Sequence, residues 1–90
     1  MIKYHYTIHA KEKLTAPTSR KLGITKKRIQ KAIEEPIVLD RSEKPVIIAI
    51  GNLTITLSLC VAYRRVKGVI RIITFYPAEK GRYERKILSG

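Results

Sequence analysis

Between residues 53 and 63 every odd position is large and apolar (Leu53, Ile55, Leu57, Leu59, Val61, Tyr63), while Thr54, Thr56, Ser58, Cys60 and Ala62 between them are small or polar. A repeat of two is the mark of a strand with one buried face. Gly51-Asn52 precedes this run and Lys67-Gly68 follows it, both with the composition of tight turns, so the stretch 46–77 predicts three consecutive antiparallel strands. Two-residue turns would fix the register. Around Gly51-Asn52, Ile50 faces Leu53, Ile48 faces Ile55 and Val46 faces Leu57. Around Lys67-Gly68, Val66 faces Val69, Arg64 faces Arg71, Tyr63 faces Ile72 and Val61 faces Thr74. The expected core is Ile48, Ile50, Ile55, Leu57, Leu59, Val61 and Ile72 packed on Ile29, Ile33 and Leu14. Ile73 and Phe75 then fall on the open face beside the arginines.

Upstream, Ile2, Tyr4 and Tyr6 alternate with polar residues and suggest a short strand. Thr7 is placed to cap a helix over residues 8–14. Pro17 lacks an amide donor and crowds the preceding turn, so the helix either kinks near Thr15 or breaks, with a fresh turn over residues 17–22. Gly23 is a stop signal. A second clear start follows at Thr25, where Ile24 and Ile29 have the spacing of a hydrophobic staple and Ile29, Ala32 and Ile33 form a stripe that Pro36 ends. Residues 37–39 supply a short strand, and residues 41–45 the turn before the meander.

Ninety residues make one domain, 1–90, with a single modest core. The 19 Lys and Arg against 7 Asp and Glu leave a net charge of +12, which points to a polyanionic partner, nucleic acid first, with an acidic protein or an anionic membrane surface behind it. One cysteine, Cys60, offers neither a disulfide framework nor a metal motif, and this fits a reducing cytoplasm. Two histidines and scattered carboxylates give no metal-ligand spacing, no glycine-rich phosphate loop is present, and no cofactor is implied. No apolar run reaches membrane-spanning length, so no membrane partner is expected.

Three groups of cations carry candidate chemistry. Arg64 opposite Arg71 places two positive charges side by side, a pair that a bound anion would relieve or that solvent would separate. Lys26, Lys27 and Arg28 open the helix after Thr25, where they read either as a solvated basic face or as phosphate contacts made with the free amides. Arg82, Tyr83 and Arg85 interleave an aromatic with cations, suited to stacking on a base while gripping its backbone; Tyr83 could equally pack beside Ile87.

His9-Ala10 and Lys13 on the first helix, Leu22-Gly23-Ile24-Thr25 opening the next, Glu35-Pro36 closing it, and Ile73-Thr74-Phe75-Tyr76-Pro77 followed by Arg82-Tyr83 form a pattern that covers most of the chain. It resembles a small domain family of the RelE/ParE/BrnT superfamily of toxin-like proteins. The resemblance implies an α+β fold with two N-terminal helices packed on one face of a small antiparallel sheet. It also implies a toxin of a toxin–antitoxin system that acts on RNA, mRNA on the ribosome included, and is neutralised by an acidic antitoxin-like protein. Cutting in that superfamily depends on a loose set of Arg, Lys, His and Tyr side chains.

Metal-independent cleavage needs a base for the 2′-hydroxyl, an acid for the leaving oxygen and cations for the phosphate. His9 is the candidate base, or else a structural hydrogen-bonding residue, and His5, adjacent to the strand, is less well placed. Arg64 and Arg71 are the candidate phosphate fork, which lysine would not reproduce. Tyr83 would stack or donate a proton, and Lys13, Lys26, Lys27, Arg28, Arg82 and Arg85 would hold the RNA strand. The alternative is a non-catalytic nucleic-acid- or ribosome-binding module that uses the same basic face.

Overall fold

The computed structural model describes residues 2–81. Its elements are β1 (Lys3–Tyr6), α1 (Ile8–Leu14), α2 (Pro17–Leu22), α3 (Lys26–Glu34), β2 (Val38–Asp40), β3 (Ile47–Asn52), β4 (Leu57–Val66) and β5 (Val69–Glu79). The strands form one sheet in the order β1-β5-β4-β3-β2. β1 lies parallel to β5, whereas the other neighbours are antiparallel. The expected architecture of two helices on an antiparallel sheet is therefore corrected to a mixed five-stranded sheet with three short helices.

Local chemistry accounts for both differences. Pro17 sits at the start of α2 after the extended residue Ala16, so the proline breaks the helix rather than bending it. Gly23 ends α2 in the left-handed conformation (φ 70°), with the Ile24 amide returning to the Ser19 carbonyl at 2.9 Å. At the other junction Thr7 leaves the sheet and starts α1 in one residue. Its amide donates to the Ile72 carbonyl (3.1 Å), its hydroxyl donates to the Ile73 carbonyl (3.0 Å), and the same oxygen accepts from the Ala10 amide (3.2 Å). That stitch holds β1 against β5.

Gly51-Asn52 is not a turn. β3 runs through Asn52, and pairing resumes at Asn52↔Ser58, Ile50↔Cys60 and Ile48↔Ala62. The loop 53–56 is closed by Thr54, whose hydroxyl accepts from the amides of Thr56 (3.3 Å) and Leu57 (3.0 Å). Gly51 serves another purpose: a Cβ there would stand 3.1 Å from the Ala32 Cβ, so the glycine lets α3 approach the sheet.

The register shift relative to the expected one is odd, and an odd shift exchanges the faces. Leu59, Val61, Tyr63 and Ile72 join Ile29, Ala32 and Ile33 in the core as expected, with Leu14 and Leu57 at its margin. Ile48 and Ile50 instead share the opposite face with Cys60 and Ala62. Ile55, at the loop tip, is 93% exposed. The opposite face is itself closed over its centre, since Ile50, Ser58 and Cys60 are all buried. A bulge at Ile73 then inverts β5, pairing Val61 with Phe75 instead of Thr74. Phe75 becomes a fully buried core residue and not the open-face anchor that unbroken alternation predicts.

Candidate nucleic-acid interface

The β4–β5 hairpin ends in a two-residue turn in which Lys67 and Gly68 both have positive φ (48° and 79°). The turn fixes Val66↔Val69 and Arg64↔Arg71, the register expected from the sequence. β1 then extends the same row, because its parallel pairing places His5 beside Arg71. His5, Arg71 and Arg64 thus lie in line across three adjacent strands, all exposed. Two strand spacings make this row about 10 Å long. The next row towards the turn holds Lys3 opposite Val69, with exposed Lys67 at the turn itself.

Neither row contains a carboxylate, so nothing within it neutralises the arginines. Two guanidinium groups directly opposed cost about 1 kcal/mol of sheet stability in wet surroundings. A phosphate accepting from both forks removes that cost, since arginine donates in pairs to a planar oxygen edge.

The remaining expected site residues lie elsewhere. His9 is exposed on α1, outside the row. Lys13, one turn further along α1, is half-buried: its Nζ donates to Thr74 Oγ1 (3.3 Å) and stands 5.6 Å from the Phe75 ring centre. Lys26, Lys27 and Arg28 open α3, whose buried stripe packs on the face of the sheet opposite to the arginine row. There Lys26 Nζ sits 5.0 Å from the Tyr6 ring centre and Arg28 Nη1 donates to the Leu53 carbonyl at 2.9 Å. Arg82, Tyr83 and Arg85 fall outside the described residues. His5, which the sequence ranks below His9, stands in the row instead. The alternation of Tyr4 and Tyr6 already turned it outward, but the parallel pairing that sets it beside Arg71 has no local signal.

The inward side of β1 is anchored by its tyrosines. Tyr4 Oη donates to the Glu34 carboxylate at the end of α3, and Tyr6 Oη accepts from Gln30 Nε2 at 3.3 Å. Burial, reinforced by the hydrogen bond to Glu34, pushes the Tyr4 hydroxyl up to about 12. Burial likewise raises Tyr6 and Tyr76. These contacts fix the edge strand that carries His5.

Comparison with known proteins found no family model, no curated protein and no solved structure that matches the chain. Among the described residues no helix is long and apolar enough to cross a membrane. No group of three His, Cys, Asp or Glu side chains converges there either.

Proposed function

We propose that the protein is a cytoplasmic, toxin-like RNA-binding domain that cleaves single-stranded RNA without a metal, at the exposed row formed by His5, Arg71 and Arg64. The observation that carries this reading is the row itself: two opposed guanidinium groups and an imidazole in line, with no carboxylate among them. The net charge of +12 and the motif order that resembles the RelE/ParE/BrnT superfamily support the same reading.

In the proposed reaction the two arginines hold the scissile phosphate. His5, in place of His9, accepts the proton of the adjacent 2′-hydroxyl as its oxygen bonds to phosphorus. The bond from phosphorus to the 5′-oxygen breaks, and that oxygen takes a proton from water. The products are a 2′,3′-cyclic phosphate and a 5′-hydroxyl. The arginines stabilise the extra negative charge of the transition state, a contribution of a few kcal/mol per donor in comparable sites.

The test is incubation of end-labelled single-stranded RNA with the pure protein in EDTA. Cleavage that falls about a hundredfold or more in Arg64→Ala and in Arg71→Ala agrees with the proposal. Binding without cleavage leaves the non-catalytic module as the function.

A further inference from the structure

A second basic region lies away from the arginine row. Along the flank of α3 that faces the β3–β4 loop runs a cleft of about 420 Å³, a volume within the range of small-molecule sites. Its floor is the close approach of Ala32 to Gly51, and the hydrogen bond from Arg28 Nη1 to the Leu53 carbonyl (2.9 Å) ties its two walls together. The cleft is therefore built into the packing of the fold. Its lining changes character along the helix: Lys27, Arg28 and Lys31 occupy the first two turns, whereas Glu35 and the 55% exposed Ile37 lie at the far end. Lys27 and Lys31 stand one turn apart on one helix face, where like charges destabilise a helix and a bound anion relieves them. Arg28 uses one guanidinium nitrogen on Leu53, which fixes the fork and leaves its other donors for a ligand. The rise of the helix sets Lys27 and Glu35 about 12 Å apart.

We propose that this cleft binds a free nucleoside di- or triphosphate, its phosphates on Lys27, Arg28 and Lys31, its ribose hydroxyls on the Glu35 carboxylate and its base along Ile37. Each end of the cleft selects one part of that molecule. Three neighbouring cations call for a compact polyanion. A carboxylate accepts from sugar hydroxyls and repels a phosphate, so Glu35 ends the run of anionic groups that the cleft takes. That same residue disfavours an RNA strand, whose next phosphate would meet it like charge against like. Single strands also draw their affinity from successive bases stacked on aromatic side chains, and the lining contains none. An inorganic oligophosphate, in turn, would leave Glu35 and Ile37 without a partner. The site lies along the helix flank and not on its N-terminal amides, because Lys31 and Glu35 stand beyond the first turn. It is independent of the reaction proposed above, since α3 covers the face of the sheet that the arginine row does not use.

The experiment is calorimetric titration of the full chain with ATP, GTP, inorganic tripolyphosphate and adenosine in about 0.15 M salt, which screens diffuse attraction to a basic protein. ATP or GTP should bind about tenfold or more tighter than tripolyphosphate or adenosine. Lys27→Ala/Lys31→Ala should weaken the nucleotide about tenfold or more, and Arg64→Ala/Arg71→Ala should leave it unchanged. Glu35→Gln should weaken ATP severalfold yet make no difference to 2′,3′-dideoxy-ATP, which lacks the hydroxyls. The sign of that effect is diagnostic, because removing a negative charge would strengthen binding by diffuse attraction alone. Lys27, Lys31 and Glu35 are exposed, so thermal melts of these variants should match the parent and exclude misfolding as the cause. The proposal is overturned if neither nucleotide binds, if tripolyphosphate binds as tightly as ATP, if Glu35→Gln strengthens binding, or if binding tracks the arginine row. It is equally overturned if an oligouridylate displaces ATP and itself loses affinity in Lys27→Ala/Lys31→Ala, which would make the cleft an RNA site.

Discussion

Arg64 and Arg71 face each other across the β4–β5 pair, one strand spacing apart and both exposed. Two like charges opposed in a sheet without a counter-charge weaken the strand pairing. Replacing either arginine with alanine should therefore leave the fold intact and raise its stability by up to about 1 kcal/mol. In a chain of 90 residues this is a rise of several degrees in melting temperature. RNA affinity should fall in the same variants. Opposite signs in a melt and a binding titration separate a functional pair from a structural one; a loss of stability in either variant would contradict this account of the row.

Binding should also be steeply dependent on salt. A single strand neutralising about five phosphates loses on the order of a hundredfold in affinity between roughly 50 and 200 mM salt. Anisotropy titrations with a labelled oligouridylate measure the slope, and a flat one would remove the phosphate-contact reading.

Gly51→Ala should destabilise the protein by about 1–3 kcal/mol. The added methyl would stand 3.1 Å from the Ala32 Cβ and 3.2 Å from its Cα, and the latter belongs to the α3 backbone, which cannot rotate aside. The double variant Gly51→Ala/Ala32→Gly removes the clashing Cβ. It should recover part of the loss beyond the known cost of glycine in a helix, a coupling that denaturant unfolding of the four proteins would measure.

Tyr4, Tyr6 and Tyr76 all hold their protons more tightly in the folded state than at the ordinary tyrosine value of 10, Tyr4 up to about 12. The stability they contribute is fully present below pH 10 and is lost as pH rises through the folded values. Unfolding monitored from pH 9 to 12 should thus show falling stability above about pH 10. The tyrosinate absorbance should lag behind that of free tyrosine, and Tyr4→Phe should remove part of the lag.

How much of this was legible in the chain depends on the range of the signal. Caps and breaks are local, and Thr7, Pro17, Gly23 and Thr25 marked the helix ends where they fall. The Lys67-Gly68 turn is equally local, and through it the Arg64–Arg71 pairing was readable. Gly51-Asn52 misled because the glycine answers to a distant residue, Ala32, and the turn is made by the Thr54 hydroxyl instead. The bulge at Ile73, whose carbonyl accepts from the Thr7 hydroxyl sixty-six residues away in sequence, has no local signal, and unbroken alternation therefore put Phe75 on the wrong face. His5 ranks below His9 in the sequence for a similar reason: its outward direction is a local property, whereas its neighbour is set by a parallel pairing across the chain.

In the proposed reaction His5, rather than His9, works with Arg71 and Arg64. The cleavage rate of a single-stranded RNA in EDTA, compared for the parent, His5→Ala and His9→Ala, separates the two histidines. It should fall about a hundredfold or more in His5→Ala and stay within about threefold of the parent in His9→Ala. Equal losses in the two variants, loss in His9→Ala alone, or no cleavage by the parent while it binds the same RNA would contradict that reaction.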